Sequence, residues 1–205
     1  DIGLGPSVGS AIRNHKFILL EYDNEGYMNT GDQLSFTTPF GHATSTSHSG
    51  PKQVGRMNHH KDTVQIFAGT HIPYIFTASE SQPLDFIKKA AKAQAICKNE
   101  GFVFGKFLSY CPLGWATTDD KGKEILQAAI DSNFFPLYEI FHGKTTINYF
   151  PEKRGKQIPI IDWLKIMGKT KHLTKPENQA TVEIIQKETN RRWERLKAMN
   201  DHPIL

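Results

Sequence analysis

The sequence predicts an α/β protein with a mostly parallel β-sheet, followed by a C-terminal hairpin and a helical arm. Two observations predict this fold class. Short apolar runs alternate with segments of helical periodicity through residues 1–135, which is typical of strands joined by crossover helices. Residues 136–205 differ, because they contain a hairpin-like stretch and then charged helices. We therefore divide the chain into a sheet-bearing portion, 1–135, and a C-terminal arm, 136–205.

Each predicted element has a local signal. Apolar runs predict three strands, at residues 17–22, 73–78 and 102–110, and the first is expected to be buried. Amphipathic segments predict helices, at residues 1–15, 62–70, 83–99, 122–133, 160–168 and 176–198. The helix 83–99 should bury a stripe formed by Phe86, Ile87, Ala90, Ala93 and Cys97. A β-hairpin is predicted at 136–149, turning at His142-Gly143.

A long segment without periodicity, residues 23–60, follows the first predicted strand. It is rich in Thr, Ser, Gly and His, and a loop of this length in a compact domain is either functional or disordered. Its aromatic residues and its direct attachment to the end of a strand favour a function. Its histidines, His42, His48, His59 and His60, lack the spacing of a zinc site, so we do not assign one.

Composition limits the class of protein. The 205 residues are 38% hydrophobic and 11% aromatic, which is typical of globular proteins. No apolar run is long enough for a transmembrane helix, and the first residues do not resemble a signal peptide. Two cysteines, Cys97 and Cys111, provide no disulfide framework and favour a reducing, cytoplasmic location. The chain lacks an initial Met, so we expect it to begin inside a longer polypeptide.

The charge balance is basic. The formal net charge is +4 and the isoelectric point is near 9.0. Such a balance can indicate nucleic-acid binding. Basic residues are densest in the C-terminal third, however, where acidic residues are interleaved with them. This arrangement favours solvated helix faces over a surface for nucleic acid.

The most informative motif is Tyr22-Asp23-Asn24-Glu25-Gly26-Tyr27-Met28-Asn29-Thr30-Gly31, a polar turn after the first predicted strand. In open α/β sheets, ligands bind at the carboxyl ends of strands. The Asn24 side chain and a loop carbonyl are hard oxygen ligands, suited to Mg²⁺ on a phosphate. The alternative is ordinary turn chemistry, because Asn tolerates left-handed backbone conformations.

A second motif, Ser109-Tyr110-Cys111-Pro112-Leu113-Gly114-Trp115, follows another apolar strand. Together the two motifs closely resemble the β subunits of 2-oxoacid:ferredoxin oxidoreductases, and those of the pyruvate enzymes most of all. The resemblance spans nearly the whole chain. It includes further segments in the same order: Asp1-Ile2-Gly3-Leu4, Thr38-Pro39-Phe40-Gly41, His71-Ile72-Pro73-Tyr74, Pro83-Leu84-Asp85-Phe86-Ile87, Pro136-Leu137-Tyr138-Glu139 and Lys171-His172-Leu173-Thr174.

The resemblance implies an α/β fold that binds thiamine diphosphate through Mg²⁺. By position, the Asn24 side chain and the Gly26 backbone carbonyl would be Mg²⁺ ligands. Asn29 would be catalytic, lying near the reacting end of the cofactor with its amide hydrogen-bonded to substrate or intermediate. We call residues 24–31 the thiamine loop; its other cofactor-binding residues would be Tyr27, Met28, Thr30 and Gly31.

Cys111 aligns with the family cysteine that ligates the [4Fe–4S] cluster nearest to the thiamine. Thiolates are the usual ligands of such clusters. The alternative for Cys111 is a small buried hydrophobe, which is what most free cysteines are. Cys97 matches no motif, so we assign it that structural role.

The activity implied by the resemblance is oxidative decarboxylation of a small 2-oxoacid, with pyruvate favoured. Electrons would pass through [4Fe–4S] clusters to ferredoxin, and coenzyme A would take the acyl group in the pyruvate case. In the family, the carboxylate that activates the aminopyrimidine ring comes from a partner subunit or domain. We therefore expect a hetero-oligomer, with no nucleic-acid or membrane partner.

Three departures from the family pattern stand out. A Gly-Asp-Gly element, whose Asp also binds Mg²⁺, would fall before Asp1, and the three other cluster cysteines are absent. The simplest interpretation is the C-terminal part of a β subunit, whose N-terminal part is missing or is a separate chain. The third departure, at Asp32, Leu34 and His42, leaves oxalate or another small acid open as the substrate. A non-catalytic fragment that keeps the fold is the remaining alternative.

Overall fold

The computed structural model describes residues 2–202. The strands are β1 (Ile18–Asp23), β2 (Ser49–Gly50), β3 (Gln53–Val54), β4 (Tyr74–Ser79), β5 (Val103–Leu108), β6 (Tyr138–Phe141) and β7 (Lys144–Ile147). The helices are α1 (Leu4–Ile12), α2 (Thr63–Ala68), α3 (Pro83–Asn99), α4 (Gly122–Asp131), α5 (Ile160–Leu164) and α6 (Gln179–Asp201). A 3₁₀ segment, Gly168–Thr174, lies between α5 and α6. No helix in this described range is long and apolar enough to cross a membrane.

Five strands form one sheet in the order β1-β5-β4-β6-β7. The strands β1, β5 and β4 are parallel, and the β6–β7 hairpin extends the sheet antiparallel to β4. The register pairs Asp23 with Leu108 and Leu108 with Ser79, so the three parallel strands end in one row. The predicted α/β fold with a mainly parallel sheet is confirmed. The segments that follow β1 and β5 therefore leave the sheet side by side.

Gly105, on β5, permits close packing between the three parallel strands. A Cβ atom at position 105 would lie 2.6 Å from Cζ of Phe76 on β4 and 2.7 Å from Cδ2 of Leu20 on β1. A side chain there would displace both neighbours. At the next position, the buried Lys106 ammonium pairs with Asp23 at 2.9 Å. Burial alone would lower the pKa of Lys106, but the nearby carboxylates, Asp23 first among them, raise it.

Two expectations about burial are wrong. Strand β1 is not buried: Leu20 is 50% exposed and Tyr22 is 65% exposed, because β1 is an edge strand in the described part of the chain. On α3, Ile87 is exposed, whereas Lys89 is buried and its ammonium pairs with Asp85 at 2.7 Å. A lysine can join an apolar face in this way because its long stem packs while its charge reaches a partner.

Helix α6 covers the hairpin within the C-terminal arm. Helix α6 packs against β7, and the Ile147 N–H donates to Oδ1 of Asn200 at 2.8 Å. The Trp193 ring meets Phe150 edge-to-face, with 5.8 Å between ring centres. The arm is thus held by both polar and aromatic contacts. The division of the chain after residue 135 stays a prediction, since β6 and β7 continue the sheet of the first portion.

Candidate cofactor-binding site

The thiamine loop leaves β1 through a tight turn. The N–H of Glu25 donates to Oδ1 of Asp23 at 2.9 Å, and Glu25 adopts the left-handed conformation with φ 70°. Further along, Tyr27 and Gln33 exchange two backbone hydrogen bonds, of 2.9 and 3.1 Å. The Thr38 hydroxyl donates to the Glu25 carbonyl at 2.6 Å. The loop is therefore ordered by its own backbone and by the segment that follows it.

Asn24 and Gly26 present oxygen atoms without an internal partner. The Asn24 backbone carbonyl accepts a hydrogen bond from Nε1 of Trp115 at 2.8 Å. By contrast, the Asn24 side-chain oxygen and the Gly26 carbonyl accept no hydrogen bond from residues 2–202. Buried or half-buried backbone groups are normally paired. The loop thus satisfies the neighbouring carbonyl groups and leaves the two predicted Mg²⁺ ligands available.

The glycines of the loop keep it compact. A Cβ atom at Gly26 would lie 3.1 Å from Oδ1 of Asp32 and 3.1 Å from Cε of Met28. Gly31 has φ 114°, a conformation that other residues rarely adopt. Burial raises the pKa of Asp32, whose Oδ1 has no hydrogen-bond partner among the described residues. Asp32 therefore lies against the inner side of the loop.

The remaining residues of the thiamine loop form an open surface. Tyr27, Asn29, Thr30 and Gly31 are all exposed. The Asn29 side-chain amide makes no hydrogen bond within the described chain, whereas the Thr30 carbonyl accepts one from Gln33 at 2.6 Å. Small-molecule sites are usually concave. A binding pocket at this surface therefore needs a second wall.

The segment after β5 lies against the thiamine loop. A Cβ atom at Gly114 would come within 2.1 Å of Sδ of Met28 and 3.3 Å of Sγ of Cys111. The backbone N–H of Trp115 donates to the Cys111 carbonyl at 2.9 Å, which closes the segment into a turn. The structure thus brings Met28 and Cys111 together. Cys97 lies on α3 and packs in a separate apolar cluster.

Metal-binding side chains are sparse in the described part of the chain. Residues 2–202 contain no group of three or more His, Cys, Asp or Glu side chains that could hold a metal ion. Cys111 is half-buried and is a free thiol, so it can supply one thiolate. Asn24 and Gly26 offer an amide and a carbonyl oxygen, which suit Mg²⁺ but not an iron–sulfur cluster.

A buried ion pair lies beneath the thiamine loop. The two residues that form it are 144 positions apart, so sequence patterns do not indicate it. Glu25, 2% exposed, pairs with the Lys169 ammonium and lies 3.3 Å from Nδ1 of His42. Burial alone would raise the pKa of Glu25, but Lys169 and His42 lower it to about 2. Burial lowers the pKa of His42 to about 4, although Glu25 acts in the opposite direction, so the imidazole is neutral at pH 7.

His42 belongs to the interior beneath the loop. It is fully buried, and its ring centre lies 5.5 Å from that of Trp163. Neither ring nitrogen has a hydrogen-bond partner with good geometry among residues 2–202. The Leu34 N–H donates to the Thr46 hydroxyl at 2.9 Å. The departure from the family pattern at His42 thus lies beneath the loop, whereas the contact of Leu34 is made by its backbone and does not depend on its side chain.

The long segment 23–60 is packed, so its alternative description as disordered is wrong. The Arg56 guanidinium donates to the Thr38 carbonyl at 2.7 Å. Nε2 of His172 lies 2.9 Å from the Gly41 carbonyl oxygen, so this nitrogen carries a proton and donates it. His172 belongs to the C-terminal arm, which therefore fixes part of the segment.

Basic residues of α6 pair with acidic neighbours. Arg191 binds Glu188 at 2.7 Å, and Arg192 lies 3.1 Å from Asp62. All four residues line a cavity of about 350 Å³ between α2, β6 and α6. Basic residues of α6 thus have acidic partners both on α6 itself and at the start of α2.

Curated proteins that resemble the chain are subunits of oxidoreductases named for 2-oxoacids. The ketoisovalerate oxidoreductase subunit VorB of Pyrococcus horikoshii is 39% identical over 199 residues, which are 97% of this chain and 61% of that relative. The pyruvate synthase subunit PorB of Methanocaldococcus jannaschii is 41% identical over 91% of this chain and 59% of its own length. PorB of Thermotoga maritima is 37% identical over 98% of this chain and 60% of its own.

The chain is therefore homologous to these subunits, which confirms the resemblance found in the sequence. It spans about three fifths of the length of the curated relatives it matches. A solved structure also overlaps it in part: 2-oxoglutarate:ferredoxin oxidoreductase from Magnetococcus marinus, with 2-oxoglutarate, coenzyme A and succinyl-CoA bound. That overlap covers 55% of this chain and 36% of the other, with a TM-score of 0.47 and 23% identity. No protein-family model matches the chain.

Proposed function

We propose that the chain is the C-terminal part of a subunit of a thiamine-diphosphate-dependent 2-oxoacid:ferredoxin oxidoreductase. The observation that carries this proposal is a pair of oxygen atoms at the carboxyl end of a parallel strand, on the Asn24 side chain and the Gly26 backbone, that accept no hydrogen bond from residues 2–202. Homology to the PorB and VorB subunits over more than nine tenths of the chain supports it. The reaction would be oxidative decarboxylation of a small 2-oxoacid.

The free oxygens of the loop fit Mg²⁺ bound to a diphosphate. Mg²⁺ takes hard oxygen ligands in near-octahedral geometry and keeps several positions for phosphate or water. Asn24 and Gly26 would supply two of these positions. Among residues 2–202, no group of three or more His, Cys, Asp or Glu side chains could hold the metal by itself. The remaining positions would go to phosphate, to water and to the Asp of the Gly-Asp-Gly element that the family resemblance implies.

Within the reaction, this chain would bind and orient. Thiamine diphosphate, when bound, supplies the carbanion chemistry that 2-oxoacid decarboxylation requires. Asn24 and Gly26 would hold the metal on the diphosphate. The exposed Asn29 amide would donate a hydrogen bond to the substrate and fix its orientation. Tyr27, Met28, Thr30 and Gly31 would complete the cofactor-binding loop.

Cys111 would supply one thiolate to a [4Fe–4S] cluster. The Cys111 sulfur lies beside Met28, near the carboxyl ends of the parallel strands, where the thiamine loop begins. Such clusters usually have four thiolate ligands, so the thiols of this chain do not form a complete cluster site. The other ligands would come from the part of the subunit that the chain does not span.

The open side of the thiamine loop favours a multi-subunit enzyme. The partners would be the remaining part of this subunit, other subunits of the oxidoreductase, and ferredoxin. The substrates would be a 2-oxoacid and coenzyme A, in the cytoplasm. Pyruvate is favoured, ketoisovalerate is the alternative that the VorB relatives suggest, and oxalate or another small acid is a further alternative.

A second candidate function is a non-catalytic interaction chain that keeps the fold. One observation favours it: the described residues bring a single thiol, Cys111, to the site and no set of metal-binding side chains. The Asn24 and Gly26 oxygens, which accept no hydrogen bond from residues 2–202, favour the enzymatic proposal instead, because they lie where the family resemblance implies two Mg²⁺ ligands.

Calorimetric titration of thiamine diphosphate into the assembled, cofactor-stripped enzyme tests the proposal. Binding should require Mg²⁺, and Asn24→Ala should weaken it by about tenfold or more. Asn58→Ala is a matched control, since Asn58 is an exposed asparagine of the same long segment. Absent or Mg²⁺-independent binding in the wild-type enzyme would favour the non-catalytic candidate.

A further inference from the structure

Lys169 reaches the thiamine loop from the far end of the chain. It lies in the 3₁₀ segment Gly168–Thr174 of the C-terminal arm and is buried. Its ammonium pairs with the Glu25 carboxylate and lies 4.8 Å from the centre of the Trp115 ring. Trp115 in turn donates a hydrogen bond to the Asn24 carbonyl at 2.8 Å. The Lys169 ammonium therefore contacts the Glu25 side chain directly. It also contacts Trp115, which binds Asn24, the residue before Glu25.

Glu25 is held at three points within the thiamine loop. Its N–H is bound to Asp23, its carbonyl to Thr38, and its carboxylate to Lys169. Peptide groups are planar, so the orientation of the units on each side of Glu25 depends on its backbone angles. The unit before Glu25 joins it to Asn24, and the unit after it joins it to Gly26. Glycine itself restricts the backbone angles very little. Fixing Glu25 therefore limits where the two free oxygens can lie.

We propose that Lys169 is a positioning residue for the thiamine loop, which through Glu25 sets the spacing of the Asn24 and Gly26 oxygens and so the affinity for Mg²⁺–thiamine diphosphate. This inference rests on the proposed function. A buried ion pair is a weak source of stability, because desolvation of the two charges offsets their attraction. Its distinctive effect is to specify one arrangement of the segments that it joins.

The test separates folding from positioning in the assembled, cofactor-stripped enzyme. Lys169→Met alone leaves the Glu25 carboxylate buried and unpaired, so the melting temperature should fall. The double variant Lys169→Met/Glu25→Gln removes both charges and should regain most of that loss. It should nevertheless bind Mg²⁺–thiamine diphosphate about 10- to 100-fold more weakly in calorimetry, the usual effect of losing a group behind a metal ligand.

Two further variants act as controls. Lys169→Arg keeps the charge and should keep an affinity close to that of the wild type. Lys89→Met removes another buried lysine, which pairs with Asp85 on α3 at 2.7 Å. It should lower the melting temperature without weakening cofactor binding, because α3 does not carry the thiamine loop.

Wild-type affinity in the double variant would overturn the positioning role. An equal loss of affinity in Lys89→Met would do the same, since general destabilisation would then explain both. Should the double variant not assemble, Glu25→Asp decides, because it keeps the charge but shortens the reach, and unchanged affinity there refutes the inference. A wild-type enzyme that does not bind the cofactor with Mg²⁺ would refute the proposed function instead, so the two failures are distinguishable.

Discussion

The indole N–H of Trp115 donates a hydrogen bond to the backbone carbonyl of Asn24 across 2.8 Å and joins the segments that follow β5 and β1. Trp115 is fully buried, so its indole N–H has no water as an alternative partner. A backbone bond of 2.9 Å from the Ser109 N–H to the Asp23 carbonyl already brings the two segments together. The indole contact extends that pairing into the thiamine loop itself.

Trp115→Phe should therefore disturb both the fold and the site. It removes the donor to the Asn24 carbonyl, and the loss of one such hydrogen bond costs about 0.5–1.5 kcal/mol. We expect a lower free energy of unfolding in urea and weaker binding of Mg²⁺–thiamine diphosphate by the assembled enzyme. Trp163→Phe is the matched control, because Trp163 is also fully buried but its Nε1 has no partner among residues 2–202. Similar cofactor affinity in both variants would contradict this role of Trp115.

Asn29→Ala should lower turnover without affecting the fold. The Asn29 side chain is exposed and makes no hydrogen bond within the described residues, so its loss should change stability by less than about 0.5 kcal/mol. Loss of one well-placed donor typically lowers kcat by about 100-fold. Steady-state kinetics of the assembled enzyme, with circular dichroism as the folding check, measure both effects. Unchanged turnover would remove Asn29 from the site.

Cys111→Ser should alter the electron paramagnetic resonance signal of a reduced [4Fe–4S] cluster in the assembled enzyme. Serine offers a poorer ligand than a thiolate, so the potential or the occupancy of the cluster should change. Cys97→Ser is the control, since Cys97 packs on α3 in a different apolar cluster. If both variants give the wild-type signal, Cys111 is not a ligand.

The buried groups beneath the thiamine loop should make stability fall in acid. The pKa of Glu25 is about 2 in the folded chain against an ordinary 4.5, so its contribution is complete above pH 4.5 and is lost towards pH 2. The pKa of His42 is about 4 against 6.5, so the unfolded chain binds more protons between these values. Both effects lower stability as the pH falls.

Urea unfolding midpoints at pH 7, 5.5 and 4 measure this decline. His42→Phe should make the fall between pH 6.5 and 4 shallower, because the group that takes up a proton on unfolding is gone. His60, whose pKa burial also lowers, still contributes a decline in the same range. A midpoint that rises on acidification would contradict the pKa directions of Glu25 and His42.

Elements with a local signal could be predicted from the sequence. The hairpin is an example: His142 and Gly143 both have positive φ, 46° and 78°, as a two-residue turn of this kind requires. Motifs at the ends of apolar runs likewise indicated Asn24 and Cys111, because parallel strands end at one edge of a sheet. The segments around both residues do meet there.

Features that depend on distant contacts could not be predicted. The apolar run of β1 does not reveal whether the strand lies at the edge or the centre of a sheet. Nothing near Glu25 or Lys169 in the sequence indicates that they pair, since each looks like an ordinary surface charge until the fold is known. Lys89 is a similar case, because helical periodicity alone assigns it to the polar face of α3.

The three parallel strands end in one row, formed by Asp23, Leu108 and Ser79. Changes of chain length have different effects before and after this row. The offset between the two loops is set by the hydrogen-bond ladder, with strands about 4.8 Å apart, and does not depend on loop sequence. Insertions beyond the row leave that offset unchanged. Deleting one residue within β5 would instead withdraw Cys111 by about 3.3 Å and exchange the faces of the residues after it. Residues added beyond the row thus leave the strands in register, whereas a change of length within a strand does not.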